Sequence, residues 1–315
     1  MDHLYLRLSI TDRCNLRCIY CMPEEGVRLV DHRDLLSYEE MLRVARVLSG
    51  LAPLKKVRVT GGEPLVRKGA IGLVSVLSKS LPGAEICMTT NGSILAPSAR
   101  ALKEAGLSRI NVSLDSLEPE RYRELTRGGE LANVLAGIRA ATDAGLSPIK
   151  VNCVLLAGLN DSEAGRFVEF AMDEGVEVRF LELMPIGQAS EAIDHGRFAS
   201  AADVFRRISE SFDLHFIRNA GTSAEYEARR DGKIARIGLI TPMTDPFCDR
   251  CDRVRLDSRG RLYPCLFSEK FVDAAALIRA GASDSDLDNA IREAFAAKSR
   301  PTIAHSAKRM STVGG

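Results

Sequence analysis

The 315-residue chain has almost no net charge, since 43 lysines and arginines stand against 42 aspartates and glutamates. Coating nucleic acid or an anionic membrane needs a field of one sign, so binding to genomic nucleic acid is excluded and any anion recognition must be local. No apolar run approaches the roughly 18 residues of a membrane span, and Met1-Asp2-His3 lacks the charged start of a secretory signal. The expected location is the cytoplasm, with no membrane partner. Low-complexity tracts are lacking too. With 45% apolar and 27% charged residues, the composition excludes collagen-like and disordered chains and leaves a folded globular protein with ample core.

Eight cysteines in a chain of this length, with no sign of export, point to metal or catalysis rather than a disulfide framework. Cys14, Cys18 and Cys21 form a C-x3-C-x2-C triplet directly after the first strand candidate, where a β/α barrel presents its active-site loops. Clustered thiolates suit iron-sulfur clusters or zinc, and a closed zinc site wants four protein ligands. A fourth is lacking, because the nearest histidine, His32, stands at no standard spacing. An iron-sulfur cluster with one open iron is the expected occupant; zinc or a chance grouping of buried thiols is the alternative. Cys248, Cys251 and Cys265, spaced C-x2-C-x13-C, also lack a fourth cysteine nearby. There, structural zinc beside a hairpin stays open as the alternative. Cys87 and Cys153 lie inside apolar strand patterns and read as core.

From residue 4 to 184, six strand candidates (LYLRLSI, KKVRV, EICMT, RINVSL, KVNCVLL and VEVRFLEL) alternate with amphipathic helical patterns. One helix opens at Ser37 with Glu40 three residues on, a capping box. The alternation predicts parallel strands with right-handed crossovers, an α/β fold of the incomplete (β/α)6 TIM-like type over residues 1–190, with a doubly wound open sheet as the alternative. Residues 191–315 break the rhythm. They hold a helix near Ala201 to Phe212, two antiparallel strand candidates (EYEARR and KIARIGLI), a hairpin signal at LDSRGRLYPC and two helical patterns ending near Ala297.

TDRCNLRCIYC resembles the signature of the radical S-adenosylmethionine (SAM) superfamily. The order LRLSITDRCNLRCIYCMP, VRVTGGEPLVR, TTNG, INVSLDS, FCDRCDRVRLDSRGRLYPCLF and terminal MSTVGG is similar, over nearly the whole chain, to one family within it, the GTP 3′,8-cyclases of molybdenum cofactor biosynthesis. A peptide-modifying radical SAM enzyme would carry a longer cysteine array near its end. An iron-sulfur or zinc-binding regulator would not explain the GGEP motif.

The resemblance implies that Cys14, Cys18 and Cys21 hold a 4Fe-4S cluster whose free iron is chelated by SAM. Tyr20, Gly62, Ser113 and Met184 match positions that contact SAM. Cys248, Cys251 and Cys265 match a second 4Fe-4S cluster in the C-terminal region, facing GTP. Arg7, Arg58, Thr89, Lys150, Arg253, Val254 and Arg255 match GTP-contacting positions. The physical properties agree: arginine donates a bidentate fork to phosphate, and Arg7 and Arg58 lie in apolar strands where a charge needs a polar interior. Arg253 and Arg255 alternate onto one side of an extended segment. The terminal Gly314 and Gly315 match a catalytic tail, slender enough to thread a narrow passage. A reductant protein, a downstream enzyme acting on the cyclised nucleotide and a homodimer complete the expected partners.

Overall fold

The computed structural model describes residues 3–27, 30–296, 306, 308 and 310–314. Each of the six strand candidates is a strand: β1 (Leu4–Ser9), β2 (Leu54–Thr60), β3 (Glu85–Thr90), β4 (Arg109–Ser113), β5 (Lys150–Val154) and β6 (Glu177–Leu181). They pair in sequence order and in parallel. Between them run α1 (Tyr38–Leu51), α2 (Ala70–Ser80), α3 (Ala99–Glu104), α4 (Pro119–Thr126), α5 (Leu131–Asp143) and α6 (Ala164–Glu174). At the start of α1 both bonds of the capping box form, Glu40 N–H to Ser37 Oγ at 3.1 Å and Ser37 N–H to Glu40 Oε2 at 2.7 Å.

The C-terminal region continues this sheet on both edges. After α7 (Gln188–Asp194) and α8 (Ala201–Ser209), the antiparallel strands β7 (Asp213–Ala220), β8 (Ser223–Arg230) and β9 (Lys233–Ile240) follow, and β9 runs parallel to β6. The chain then crosses to the opposite edge, where β10 (Arg253–Leu256) lies parallel to β1. The hairpin of β10 with β11 (Arg261–Tyr263) appears where LDSRGRLYPC predicts it, and β12 (Val272–Asp273) ends that edge. The last helices are α9 (Ala274–Arg279), α10 (Asp284–Ala296) and the short α11 (Met310–Val313). Helix α7 falls in GQASEAIDHG, where the sequence signals only a break.

The two-residue period of the strands gives the arc two unlike faces. Leu4, Leu6 and Leu8 of β1, Val57 and Val59 of β2 and Val151 of β5 are fully or almost fully buried in one core with Met41, Val44 and Leu48 of α1. The intervening side chains face the other way, and they are polar. The sheet curls, because Arg253 on β10 donates to Thr222 Oγ1 in the β7–β8 turn at 2.6 Å although the two lie at opposite ends of the strand order.

Candidate active site

The first cysteine triplet occupies the loop that leaves the carboxyl end of β1. The loop is fastened to the end of α4 by Arg17 N–H to Thr126 O and Ile19 N–H to Leu125 O, both 3.0 Å. Within it, Cys18 O accepts from the N–H groups of Cys21 and Met22, which folds the three cysteines round one tight turn. Burial pushes the Cys18 thiol well up, and the negative charges of Asp115, Cys21 and Cys14 push it further, so the three sulfurs lie within electrostatic reach of one another. Three thiolates on one turn are the donor set of an iron-sulfur cluster with one corner left open.

Two further loops lock onto this one. Gly62 N–H donates to Thr11 O at 2.7 Å and Glu63 N–H to Arg13 O at 2.8 Å. A Cβ on Gly62 would sit 2.3 Å from Arg13 O, so the glycine lets the second loop lie against the cysteine loop. Glu63 is fully buried and accepts from Leu65 N–H (3.0 Å), Thr90 Oγ1 (2.8 Å) and Asn91 N–H (2.7 Å); burial pushes its carboxyl up to about 7. Asn91 of TTNG in turn donates to Asn15 Oδ1 at 2.9 Å and to Cys14 Sγ at 3.7 Å. Tyr20 donates to Asp115 Oδ2 at 2.6 Å, and the other oxygen of Asp115 accepts from Val154 N–H at 2.8 Å. Ser113 ends β4 opposite Asn152, on the polar face. Met184 follows β6, and its neighbour Leu183 packs with Ile19 and Tyr20 of the cysteine loop. Glu63, Asn91 and Asp115 thus carry the assembly, and sequence reasoning gave none of them a role. Their signal was membership of the GGEP, TTNG and INVSLDS motifs together with position, since each follows the carboxyl end of a strand.

Deeper in the arc lies a field of cations. The strand registers place Arg255, Arg7 and Arg58 side by side on β10, β1 and β2. One step along, Arg253 and Lys56 flank Tyr5. Arg58 donates from Nε to the Tyr5 hydroxyl at 2.5 Å and from Nη1 to Met88 O at 3.0 Å. Arg179 on β6, absent from the sequence reading, faces the same space; burial and then Arg58 push its guanidinium down to about 9. Thr89 sits on β3, and its buried hydroxyl has no hydrogen-bond partner among the described residues. An orphaned donor beside clustered arginines is what an anionic ligand would satisfy. Lys150 is ion-paired with Glu177 and with Glu225 at 3.4 Å. Val254 departs from the group: it pairs with Leu6, is fully buried in the apolar core, and can offer an interior ligand only its backbone.

The tail enters this field. Arg255 donates from Nη1 to the carbonyl oxygen of Gly314 and to that of Val313 at 3.3 Å, while Arg7 Nε donates to Gly314 O at 3.4 Å. Gly314 has φ +79°, and a Cβ there would lie 2.1 Å from Thr60 Oγ1. Gly315 lies outside the described residues. The second triplet borders the same region. Cys248 and Cys251 bracket one turn, and the Cys251 charge acts on Arg255. Cys265 follows β11; Lys308 donates to Leu266 O at 3.2 Å and lies over the Tyr263 ring at 4.6 Å. All three cysteines are half-buried and outside any disulfide; Cys153 joins the apolar core, as the sequence indicates, whereas Cys87 is buried opposite Arg58 on the face of the arginine field.

Residues 8–171 match the Radical SAM superfamily and residues 176–303 match Molybdenum Cofactor Synthesis C. In fold, the chain is similar to the crystal structure of Streptococcus suis SuiB bound to S-adenosylmethionine, with TM-score 0.50 and 16% identity over 66% of this chain and 46% of that one. Among curated relatives, a GTP 3′,8-cyclase of Peptoclostridium acidaminophilum is 46% identical, covering 88% of this chain and 84% of the relative. One from Pelotomaculum thermopropionicum is 45% identical over 99% of this chain and 97% of the relative. With that identity over nearly its whole length, and with the cysteine loop, GGEP loop and arginine field in place, the chain belongs to the GTP 3′,8-cyclase family of the radical SAM superfamily.

Proposed function

We propose that this protein converts GTP to (8S)-3′,8-cyclo-7,8-dihydroguanosine 5′-triphosphate, the first step of molybdenum cofactor biosynthesis. The observation that carries the reading is the layout of one polar interior, with a three-cysteine loop at the strand ends and five stacked cations and a tail within. SAM on the 4Fe-4S cluster of Cys14, Cys18 and Cys21 supplies, when bound and reduced, the 5′-deoxyadenosyl radical that takes hydrogen from ribose C3′. The chain's own part is placement and exclusion of water. Tyr20, Gly62, Ser113 and Met184 would orient SAM, the ring of Tyr20 being set by Asp115. Arg7, Arg58, Arg253 and Arg255 would hold the triphosphate, with Thr89, Lys150 and the Val254 backbone along the nucleotide. Cys248, Cys251 and Cys265 fit a second 4Fe-4S cluster by the same donor chemistry, three thiolates with an open corner, and Gly314-Gly315 would complete the substrate pocket.

In this reading the barrel and the C-terminal region divide near residue 190 but share one sheet. No helix among the described residues is long and apolar enough to cross a membrane, and no disulfide joins the eight cysteines. The proposed setting is the cytoplasm, with a reductant protein as electron source, a homodimer as the assembly and a downstream enzyme as recipient of the product. The test is anaerobic iron and sulfide analysis of the reconstituted protein, followed by incubation with SAM, reductant and GTP. About eight irons per chain and GTP-dependent release of deoxyadenosine support the reading; stoichiometric zinc overturns it.

A further inference from the structure

Tyr5 belongs to none of the motifs above, yet it sits at the centre of the cation field. Its ring lies beneath three cations, Lys56 at 5.5 Å, Arg253 at 5.6 Å and Arg58 at 6.0 Å from the centroid, and its hydroxyl accepts from Arg58 Nε at 2.5 Å. Of the carboxylates in this region, Glu85 pairs with Lys56 and Arg109, and Glu177 and Glu225 pair with Lys150. Among the described residues, the hydrogen-bond partners of Arg58, Arg253 and Arg255 are oxygens of Tyr5, Met88, Thr222, Val313 and Gly314 rather than carboxylates. Buried guanidinium groups crowded together with no carboxylate among these hydrogen-bond partners are costly, and of these oxygens the phenol alone can become an anion near neutral pH.

We propose that Tyr5 is the resident counter-ion of the phosphate clamp, its phenolate oxygen holding Arg58 until the substrate triphosphate replaces it and Tyr5 takes up a proton. The inference rests on the GTP reading of the site. Burial alone would raise the Tyr5 phenol; Arg58, Arg7 and Arg253 outweigh it and bring it down to about 7. The charged groups facing it are Arg7 on its own strand, Lys56 and Arg58 from β2, Glu85 and Cys87 from β3, Arg179 from β6, and Arg253 and Arg255 from β10. A triphosphate brought beside a phenolate repels it, so binding and protonation are linked: E·TyrO⁻ + GTP + H⁺ → E·TyrOH·GTP.

The experiment is titration calorimetry of the reconstituted protein with GTP at pH 8.5, without SAM, in buffers of different ionisation enthalpy. At that pH the nucleotide phosphates are already fully ionised. Wild type should take up about one proton per GTP, and its affinity should fall by up to about tenfold per pH unit above 7. Tyr5→Phe keeps the ring and loses the phenolate, so its uptake should drop by about one proton and its affinity should become nearly independent of pH. In Tyr5→Phe the neighbouring guanidinium groups lose the phenolate that raises their hold on protons, so any proton they gain on binding GTP adds to the variant's value; the tyrosinate absorbance of wild type, which guanidinium groups lack, assigns the proton to Tyr5. Tyrosinate absorbance unchanged on GTP binding would overturn the role of Tyr5 while leaving the GTP site standing; no GTP binding by either protein would overturn both. If Tyr5→Phe fails to fold, inorganic tripolyphosphate added to wild type at pH 8.5 provides the second measurement. Loss of the tyrosinate absorbance of one residue supports the proposal, and an unchanged spectrum overturns it.

Discussion

Tyr20 and Asp115 stand 95 residues apart in sequence and share a hydrogen bond of 2.6 Å, which ties the cysteine loop to the segment after β4. Asp115 is buried, and burial pushes its carboxyl up to about 6 against the pull of Tyr20 and the Val154 N–H. Tyr20→Phe would leave one oxygen of a buried carboxyl without its donor. We expect a stability loss of about 1–3 kcal/mol, read as a lower denaturant midpoint under anaerobic conditions. A midpoint unchanged within error would show that the bond contributes nothing net.

The three cysteines of the first loop share one turn, and each should be indispensable to the cluster. Cys18→Ala should abolish cleavage of SAM to deoxyadenosine while iron bound at the second triplet persists, about half the wild-type content. Deoxyadenosine production in this variant, measured by chromatography, would be incompatible with the assignment.

The outward and inward faces of β1 were legible in the sequence, because Leu4, Leu6 and Leu8 alternate with Tyr5 and Arg7 at the period of a strand. What local pattern could not report was which distant strands would lie beside them. Tyr5 pairs with Arg253 and Val178 with Ile237, so the two edges of the arc are set by non-local contacts with segments whose own patterns say only "strand". Val254 shows the cost. It sits between two arginines in sequence, but the strand turns it into the apolar core and leaves only its backbone near the interior. Asn91 and Asp115 escaped for a related reason: a single polar residue after a strand gains its meaning from a partner brought by folding.

Arg253 and Arg255 look equivalent in sequence and differ in the fold. Arg253 reaches Thr222 at 2.6 Å, whereas Arg255 holds the tail carbonyls. Arg253→Ala should therefore weaken GTP binding by about tenfold or more, the worth of one charged hydrogen bond, with product formed normally once GTP saturates. Arg255→Ala should lose both affinity and product at saturation. Calorimetry beside a saturating assay separates the two, and identical behaviour of the variants would remove the distinction.

Gly314 is the residue at which a single methyl group should matter most. Its carbonyl is held by Arg255 and Arg7, its φ of +79° is a conformation that side chains oppose, and a Cβ would fall 2.1 Å from Thr60 Oγ1 and 3.5 Å from Ser9 Cβ. Gly314→Ala must either shift Thr60, which ends β2 just before the glycines that brace the cysteine loop, or withdraw the tail from the arginines. The second is cheaper, because the tail reaches the sheet through one short helix, while Thr60 is buried in the sheet. We expect iron content, folding and GTP affinity within about twofold of wild type, and product formation reduced by at least about tenfold through lost positioning. Deleting Gly314 and Gly315 together should do the same. Thr60→Ala placed over Gly314→Ala removes the nearest clash and leaves the strain of positive φ, roughly 1 kcal/mol, so it should restore product only in part. Product yield of Gly314→Ala equal to wild type would mean that the tail's place among the arginines has no bearing on the reaction.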